Sequence, residues 1–219
     1  MKKQILLSTL RLFVGLAGLV CLANLFYRLT HDYTARKEYV DLRVHAPETK
    51  SAVPSAAQAL LAINPDYIGW ITIDGTTVDY PIVRGRENEY YMAHTFTGQK
   101  NTAGAIFMDT GCEEGFDGPL VILYGHNRKD GSMFAPLARY LKTDFLTAHP
   151  IITIQTIAGE RLTYRVTDAR RGTINDPIFS QPTNAPPNAD SLLVLSTCAR
   201  GGNENERILV FAMSNDTLS

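Results

Sequence analysis

A thiolate, an imidazole and a guanidinium held together can cleave and remake an acyl bond. This chain of 219 residues places one of each beside an apolar run. Cys198 ends the run Leu192-Leu-Val-Leu-Ser-Thr-Cys198, and Arg207 opens the run Arg207-Ile-Leu-Val-Phe211 nine residues later. Far upstream, His126 ends a third run, Leu120-Val-Ile-Leu-Tyr-Gly-His126. A free thiol titrates at about 8.5, so the thiolate needs help at neutral pH. A neighbouring imidazolium gives that help and can then protonate a leaving amine. Attack on a carbonyl makes an oxyanion, and an arginine offers it a fixed, always-charged donor.

Other residues compete for these roles. Arg200, two residues after Cys198, is the alternative guanidinium. Cys112 sits in an acidic loop, Cys112-Glu-Glu-Gly115, where negative charge raises a thiol's pKa, so Cys198 is preferred. His94 ends the aromatic segment Tyr90-Tyr-Met-Ala-His94 and can line a groove, whereas His149 precedes Pro150 and reads as a turn residue. His31 and His45 lie outside the core domain. Cys21 lies in an apolar stretch, which leaves one disulfide at most, Cys112 to Cys198, and that bond would consume the nucleophile. No CxxC or Cys/His cluster has zinc spacing, so neither a metal nor a cofactor is expected. The plain reading stands beside the chemical one: a strand-end cysteine is usually a small core residue.

The elements that must position these groups are strands. Strand-like runs cover Gly69–Ile73, Thr77–Val83, Ala105–Met108, Leu120–Tyr124, Ile151–Thr156, Leu162–Arg170, Leu192–Ser196 and Ile208–Met213. Asp74-Gly75 marks a turn between the first two. Ser132–Leu141 and Asp144–Ala148 read as short helices. Eight short strands with few helices predict a mostly β protein, a closed or nearly closed barrel. A hairpin through the polar loop Ala199–Glu206 would set Cys198 and Arg207 side by side. The longest stretch without structure is Gly172–Asp190, rich in proline, of the length at which loops tend to be functional.

The N-terminus reads as a membrane element. Lys2 and Lys3 precede an apolar stretch from Ile5 to Leu29, interrupted at Arg11, which can snorkel toward headgroups. A cleaved signal peptide is the alternative, but its cleavage sites are poor. Residues 1–30 are therefore expected to be a transmembrane anchor with the domain outside, and residues 31–63 a stem with partial helix. Within that stem, His45–Ala57 reads as a Pro/Ala/Ser linker and Ala59–Ile63 as a turn or two of helix. The folded domain occupies residues 64–219. Formal net charge is -1 with no basic stripe, so no nucleic-acid partner is expected.

Beyond this chemistry, several motifs carry a family resemblance. Leu195-Ser196-Thr197-Cys198 resembles the Leu-x-Thr-Cys signature of sortases, the membrane-anchored cysteine transpeptidases of Gram-positive bacteria. Tyr124-Gly125-His126 resembles their histidine motif and Arg207-Ile-Leu-Val their arginine strand. Gly69-Trp70-Ile71, Gly75 to Val83, Gly104-Ala-Ile-Phe-Met-Asp109 and Met133-Phe-Ala-Pro-Leu137 are similar to class B sortases in particular. The resemblance covers Tyr67 to Met213. It implies an eight-stranded sortase-type barrel outside the membrane, held by an anchor at residues 5–29. Cys198 would attack the Thr–Gly-like bond of a C-terminal sorting signal, of the Leu-Pro-x-Thr-Gly or Asn-Pro-x-Thr type, on a surface protein. His126 would be the general acid/base, and Arg207 would hold the substrate and the oxyanion. Val83, Ser196 and Thr197 would line the groove. An amine of the cell wall, on a peptidoglycan precursor, would resolve the thioacyl enzyme; a pilin lysine is the alternative acceptor. The short loop Gly172–Asp190 lacks the long helix usual in class B, and it has no acidic cluster that would bind calcium. A hydrolase with water as acceptor and a catalytically silent, membrane-tethered peptide-binding barrel are the competing readings.

Overall fold

The structure is a computed structural model that describes residues 2–47, 53–179, 191–199, 201, 203 and 205–214. Two units are distinguished, one up to Glu38 and one from Tyr39 onward. The first is a helix. α1 runs unbroken over Lys2–Leu42, its last residues from Tyr39 belonging to the second unit. The segment Arg11–His45 is long and apolar enough to cross a membrane by length and composition. Leu12, Phe13, Leu16, Leu19, Leu22 and Leu25 are each more than half exposed, which suits a lipid-facing helix. The helix continues past residue 30, where the polar stretch holds no glycine or proline and the good helix formers Ala35-Arg-Lys-Glu38 sit at its centre.

The second unit begins with pieces of the expected stem. Tyr39 and Leu42, at the end of α1, are buried in the barrel's hydrophobic cluster. Arg43 pairs with Asp79 at 3.0 Å, and Asp79 also accepts the Trp70 indole N–H at 2.7 Å. α2 spans Val53–Ile63, a longer helix than the sequence pattern indicated. Its proline falls in the first turn, where no intrahelical N–H is needed, and Ala-rich sequence carries it on. Ala57 and Leu60 share one face and are buried. Residues 48–52 of the expected linker lie outside the described residues.

Eight strands follow: β1 Tyr67–Ile73, β2 Asp79–Val83, β3 Ile106–Met108, β4 Leu120–Tyr124, β5 Ile151–Thr156, β6 Arg161–Thr173, β7 Leu192–Cys198 and β8 Glu206–Ser214. They close into a barrel in the order β1-β2-β3-β4-β7-β8-β6-β5, so each strand pairs with two neighbours. The β2/β3 and β4/β7 pairs are parallel and the rest antiparallel. The short helix α3 covers Asn88–Ala93, and α4 covers Thr143–Ala148. Ala135–Leu141 is a 3-10 segment, tighter than the helix its sequence suggested. β7 is apolar on both faces and buried from Leu192 to Thr197, as a central strand must be. β6 runs three residues beyond its apolar pattern, to Thr173, because β8 supplies it a ladder up to Thr173 opposite Glu206.

Candidate active site

The hairpin of β7 and β8 sets the first two groups. Its antiparallel register has Cys198 opposite Arg207. The loop between them is closed by the Ala199 N–H donating to the Glu206 carbonyl at 3.0 Å. Arg207 also lies opposite Gly172 on β6, and its guanidinium donates to the Glu206 carbonyl at 3.0 Å. Cys198 is exposed at the strand end, whereas Ser196 and Thr197 before it are buried. Arg200 lies outside the described residues.

His126 arrives by a different route. β4 runs parallel to β7, with Tyr124 opposite Ser196. The Gly125 N–H extends that ladder to the Ser196 carbonyl at 3.2 Å. His126 then turns away, and its carbonyl accepts the Phe134 N–H at 2.9 Å. The next residue, Asn127, donates its side-chain amide to the Cys198 carbonyl at 2.8 Å, tying the histidine loop to the cysteine strand. The His126 Nε2 lies 2.7 Å from the Met92 carbonyl. A carbonyl only accepts, so Nε2 carries the proton in this bond. In the neutral ring Nδ1 is then the basic nitrogen.

Gly104 makes room for that contact. It has φ +60°, and a Cβ there would lie 2.7 Å from the Tyr91 carbonyl oxygen and 2.9 Å from Cδ2 of His126. Tyr39 holds the same turn from outside, its hydroxyl donating to the Gly104 carbonyl at 2.6 Å.

One pocket of about 210 Å³ gathers these groups. His126, Cys198, Arg207, Ser196 and Thr197 all line it. Val83 does not: it is fully buried in the core on β2, beside Phe107 of β3 in the parallel ladder. The wall is completed by Phe107, Tyr124 and Gly125, which stand in the family motifs without having been named as site residues, and by Asn88, Met92, Ile174 and Phe179. The aromatic rings are packed together. Tyr124 lies 5.3 Å from Phe107 and stacks on Phe179 at 6.0 Å, between ring centres. The last two wall residues belong to the loop after β6, where the Pro177–Phe179 turn begins. Residues 180–190 of that loop lie outside the described residues.

The remaining candidates sit elsewhere. His94 is outside the pocket lining; its ring stacks on Tyr90 at 4.1 Å and Nδ1 meets the Tyr90 carbonyl. His149 packs against Phe145. Cys112 is buried, and its thiol is pushed above the ordinary range first by burial and further by Asp109, against the Ile122 N–H and Arg84. Burial is a stronger cause than the acidic neighbours read from sequence. Cys21, Cys112 and Cys198 are all free thiols.

The Ser196 and Thr197 hydroxyls are buried against this pocket with no hydrogen-bond partner among the described residues. Such a group costs about 1–3 kcal/mol when left unsatisfied. Successive side chains on a strand alternate faces, so Ser196 shares the face of Cys198, and its hydroxyl is the one placed to meet a polar ligand beside the thiol.

Comparison with known proteins gives a consistent result. The family model for the sortase domain matches residues 71–215. Sortase B of Staphylococcus aureus is 31% identical over 177 residues, 71% of this chain and 72% of that protein. Sortase B of Listeria monocytogenes is 45% identical over 97 residues, 44% of this chain. That alignment spans only 39% of the Listeria relative's length. Among solved structures, a Staphylococcus aureus sortase B–substrate complex matches with a TM-score of 0.70 at 28% identity, covering 84% of this chain and 98% of that one.

Proposed function

This chain belongs to the sortase family, with class B sortases among its structural neighbours, and from that premise we propose that it is a membrane-anchored cysteine transpeptidase with Cys198 as its nucleophile. The observation that carries the reading is the convergence of Cys198, Arg207 and His126 on one pocket that Ser196 and Thr197 also line. The substrate is a C-terminal sorting signal on a surface protein, lying along the pocket with its polar backbone toward Ser196 and Thr197.

In this mechanism Nδ1 of His126 holds the proton taken from the Cys198 thiol, and the thiolate attacks the carbonyl carbon of the scissile peptide bond. The charge that moves to the carbonyl oxygen is met by the guanidinium of Arg207, the residue opposite Cys198 in the β7/β8 ladder. With Nε2 held by the Met92 carbonyl, Nδ1 is the position that gives a proton to the leaving amine. The C–N bond breaks and a thioester remains on Cys198. An incoming amine then attacks the thioester, gives a proton to Nδ1 and releases the thiolate. Residues 1–30 serve as the anchor, residues 31–63 as the stem and residues 64–219 as the catalytic barrel, outside the membrane. The acceptor is an amine of the cell wall.

The test uses the full-length protein in detergent with a panel of sorting-signal peptides and a soluble amine. Mass spectrometry is expected to find a thioacyl adduct on Cys198 and the ligated product. An adduct without ligated product in amine excess would make the protein a hydrolase. No adduct with any peptide, from folded protein, would favour the silent peptide-binding barrel.

A further inference from the structure

Behind the pocket wall, and not in it, lies the carboxylate of Asp109, the last residue of the motif Gly104-Ala-Ile-Phe-Met-Asp109. It joins two lining residues that come from different elements. Its Oδ2 accepts from the Asn88 amide at 3.0 Å and from the Tyr124 hydroxyl at 2.8 Å. Its Oδ1 accepts from the Gly111 N–H at 2.7 Å, a local turn contact. Asn88 is held at its other end too, where its side-chain carbonyl accepts the Thr110 N–H at 3.0 Å.

These bonds settle what the two residues can offer. One amide proton of Asn88 is spent on Asp109, and the Thr110 bond prevents the amide from flipping, so the second Nδ2 proton is its remaining donor. Tyr124 has given its only proton to the carboxylate, so its oxygen presents lone pairs. Burial, with Asp109 beside it, pushes the Tyr124 phenol far above its ordinary range, so it stays a neutral donor. Both residues also adjoin His126. Asn88 begins α3, whose Met92 carbonyl takes Nε2 one turn later, and Tyr124 precedes His126 by two residues.

We propose that Asp109 is a positioning residue for the peptide substrate: by holding the Asn88 amide and the Tyr124 hydroxyl as one donor and one acceptor on the pocket wall, it sets how tightly the peptide is bound. The proposal rests on the transpeptidase reading above. Its chemistry is specific to a carboxylate, because all three groups facing Asp109 are donors. An amide in its place can turn its oxygen to Gly111 and keep the loop turn, but then faces Asn88 and Tyr124 with protons. Turned the other way, it breaks the turn instead.

The experiment compares wild type, Asp109→Asn, Tyr124→Phe and the double variant, as full-length protein in detergent, with the peptide that gives the wild-type adduct. Asp109→Asn is expected to raise KM about tenfold while kcat changes less than about threefold, since only binding contacts are lost. In the Tyr124→Phe background the same substitution is expected to cost clearly less than its effect alone, because the partner is already gone. Equilibrium binding of the peptide to the Cys198→Ala protein, with and without Asp109→Asn, gives the same comparison without turnover. Unchanged KM, a fall confined to kcat, or independent effects in the double variant would each overturn the proposal. A loop staple alone would instead lower the melting temperature and leave the two effects additive. Should Asp109→Asn not fold, Asn88→Ala and Tyr124→Phe carry the test: sub-multiplicative effects on KM support it and multiplicative ones overturn it. Peptide binding without an adduct would sink the transpeptidase reading and leave the Asp109 comparison readable; no binding at all would sink both.

Discussion

The two halves of the site are held in place by different means. Cys198 and Arg207 face each other across an antiparallel ladder of seven residue pairs, flanked by β4 on one side and β6 on the other. His126 lies just past the end of β4, where the ladder has run out. Its ring is placed by one carbonyl at 2.7 Å and by the space that Gly104 leaves. A ladder spreads the cost of any single change over many bonds, whereas a ring held by one bond moves when that bond moves. The nucleophile side should therefore answer to chemistry and the histidine side to geometry.

The largest effects come from the chemistry of the hairpin. Cys198→Ala should leave no thioacyl adduct by mass spectrometry while the protein stays folded by circular dichroism, since a strand-end side chain carries little of the ladder. Arg207→Lys keeps the charge but loses the fork. It is expected to lower kcat by about 10²- to 10³-fold, the range for removing a preorganised oxyanion donor. Arg200→Ala should remain active. A dead Arg200→Ala beside an active Arg207→Ala would hand the guanidinium role to Arg200.

A pair of glycines turns the contrast between the halves into one measurement. Gly104 and Gly201 both have positive φ, +60° and +75°, so alanine is strained at either, at a cost of about 1–3 kcal/mol. At Gly201, in the hairpin loop, the new methyl group meets nothing within 4 Å. At Gly104 it meets the Tyr91 carbonyl and the His126 ring. Both variants should lose melting temperature. Only Gly104→Ala should also lose kcat, by about 10- to 100-fold, the scale of a misplaced catalytic group. Equal losses of kcat would mean that the histidine half is no more dependent on geometry than the hairpin.

The same division governs what could be read from the sequence. β4 and β5 stand at the residues their apolar patterns indicate, Leu120–Tyr124 and Ile151–Thr156, because burial of the side chains is what makes them strands. The facing of Cys198 and Arg207 follows from two strands and a short loop. By contrast, the end of β6 is polar, Arg171-Gly-Thr173, and is a strand only because β8 is there to pair with it. The partner of His126 is a main-chain carbonyl, which leaves no mark in side-chain chemistry. Asn88 and Asp109 are 21 residues apart; Asp109 stands in a family motif, but nothing in the sequence joins it to Asn88. Val83 shows the converse: its place in a motif says it matters, but only the packing shows that it points to the core.

The smallest effect probes the outer wall of the pocket, where a side-chain contact from Arg170 of β6 holds the loop that follows the strand. Asp176 is buried and takes a two-pronged contact from Arg170, at 2.6 and 3.0 Å. It also accepts the Ile178 N–H at the start of the Pro177–Phe179 turn, so it pins the segment between the wall residues Ile174 and Phe179. The Arg170 bond, helped by the Ile178 N–H and working against burial, holds the Asp176 carboxyl below its ordinary range. A depressed carboxylate adds stability that is fully present above its unfolded pKa of about 3.9 and is lost as pH falls through the lower folded value. Arg170→Met should therefore cost roughly 1–2 kcal/mol at neutral pH, a modest figure because the arginine is partly exposed. The gap between variant and wild-type melting temperatures should hold constant down to about pH 4 and close below it. At neutral pH the same variant should raise KM a few-fold through the loosened wall and leave kcat alone, since no reacting group touches the pair. A gap that stayed constant through pH 2 would show that Arg170 acts through its packing over the Phe211 ring, 5.0 Å away, and not through the carboxylate.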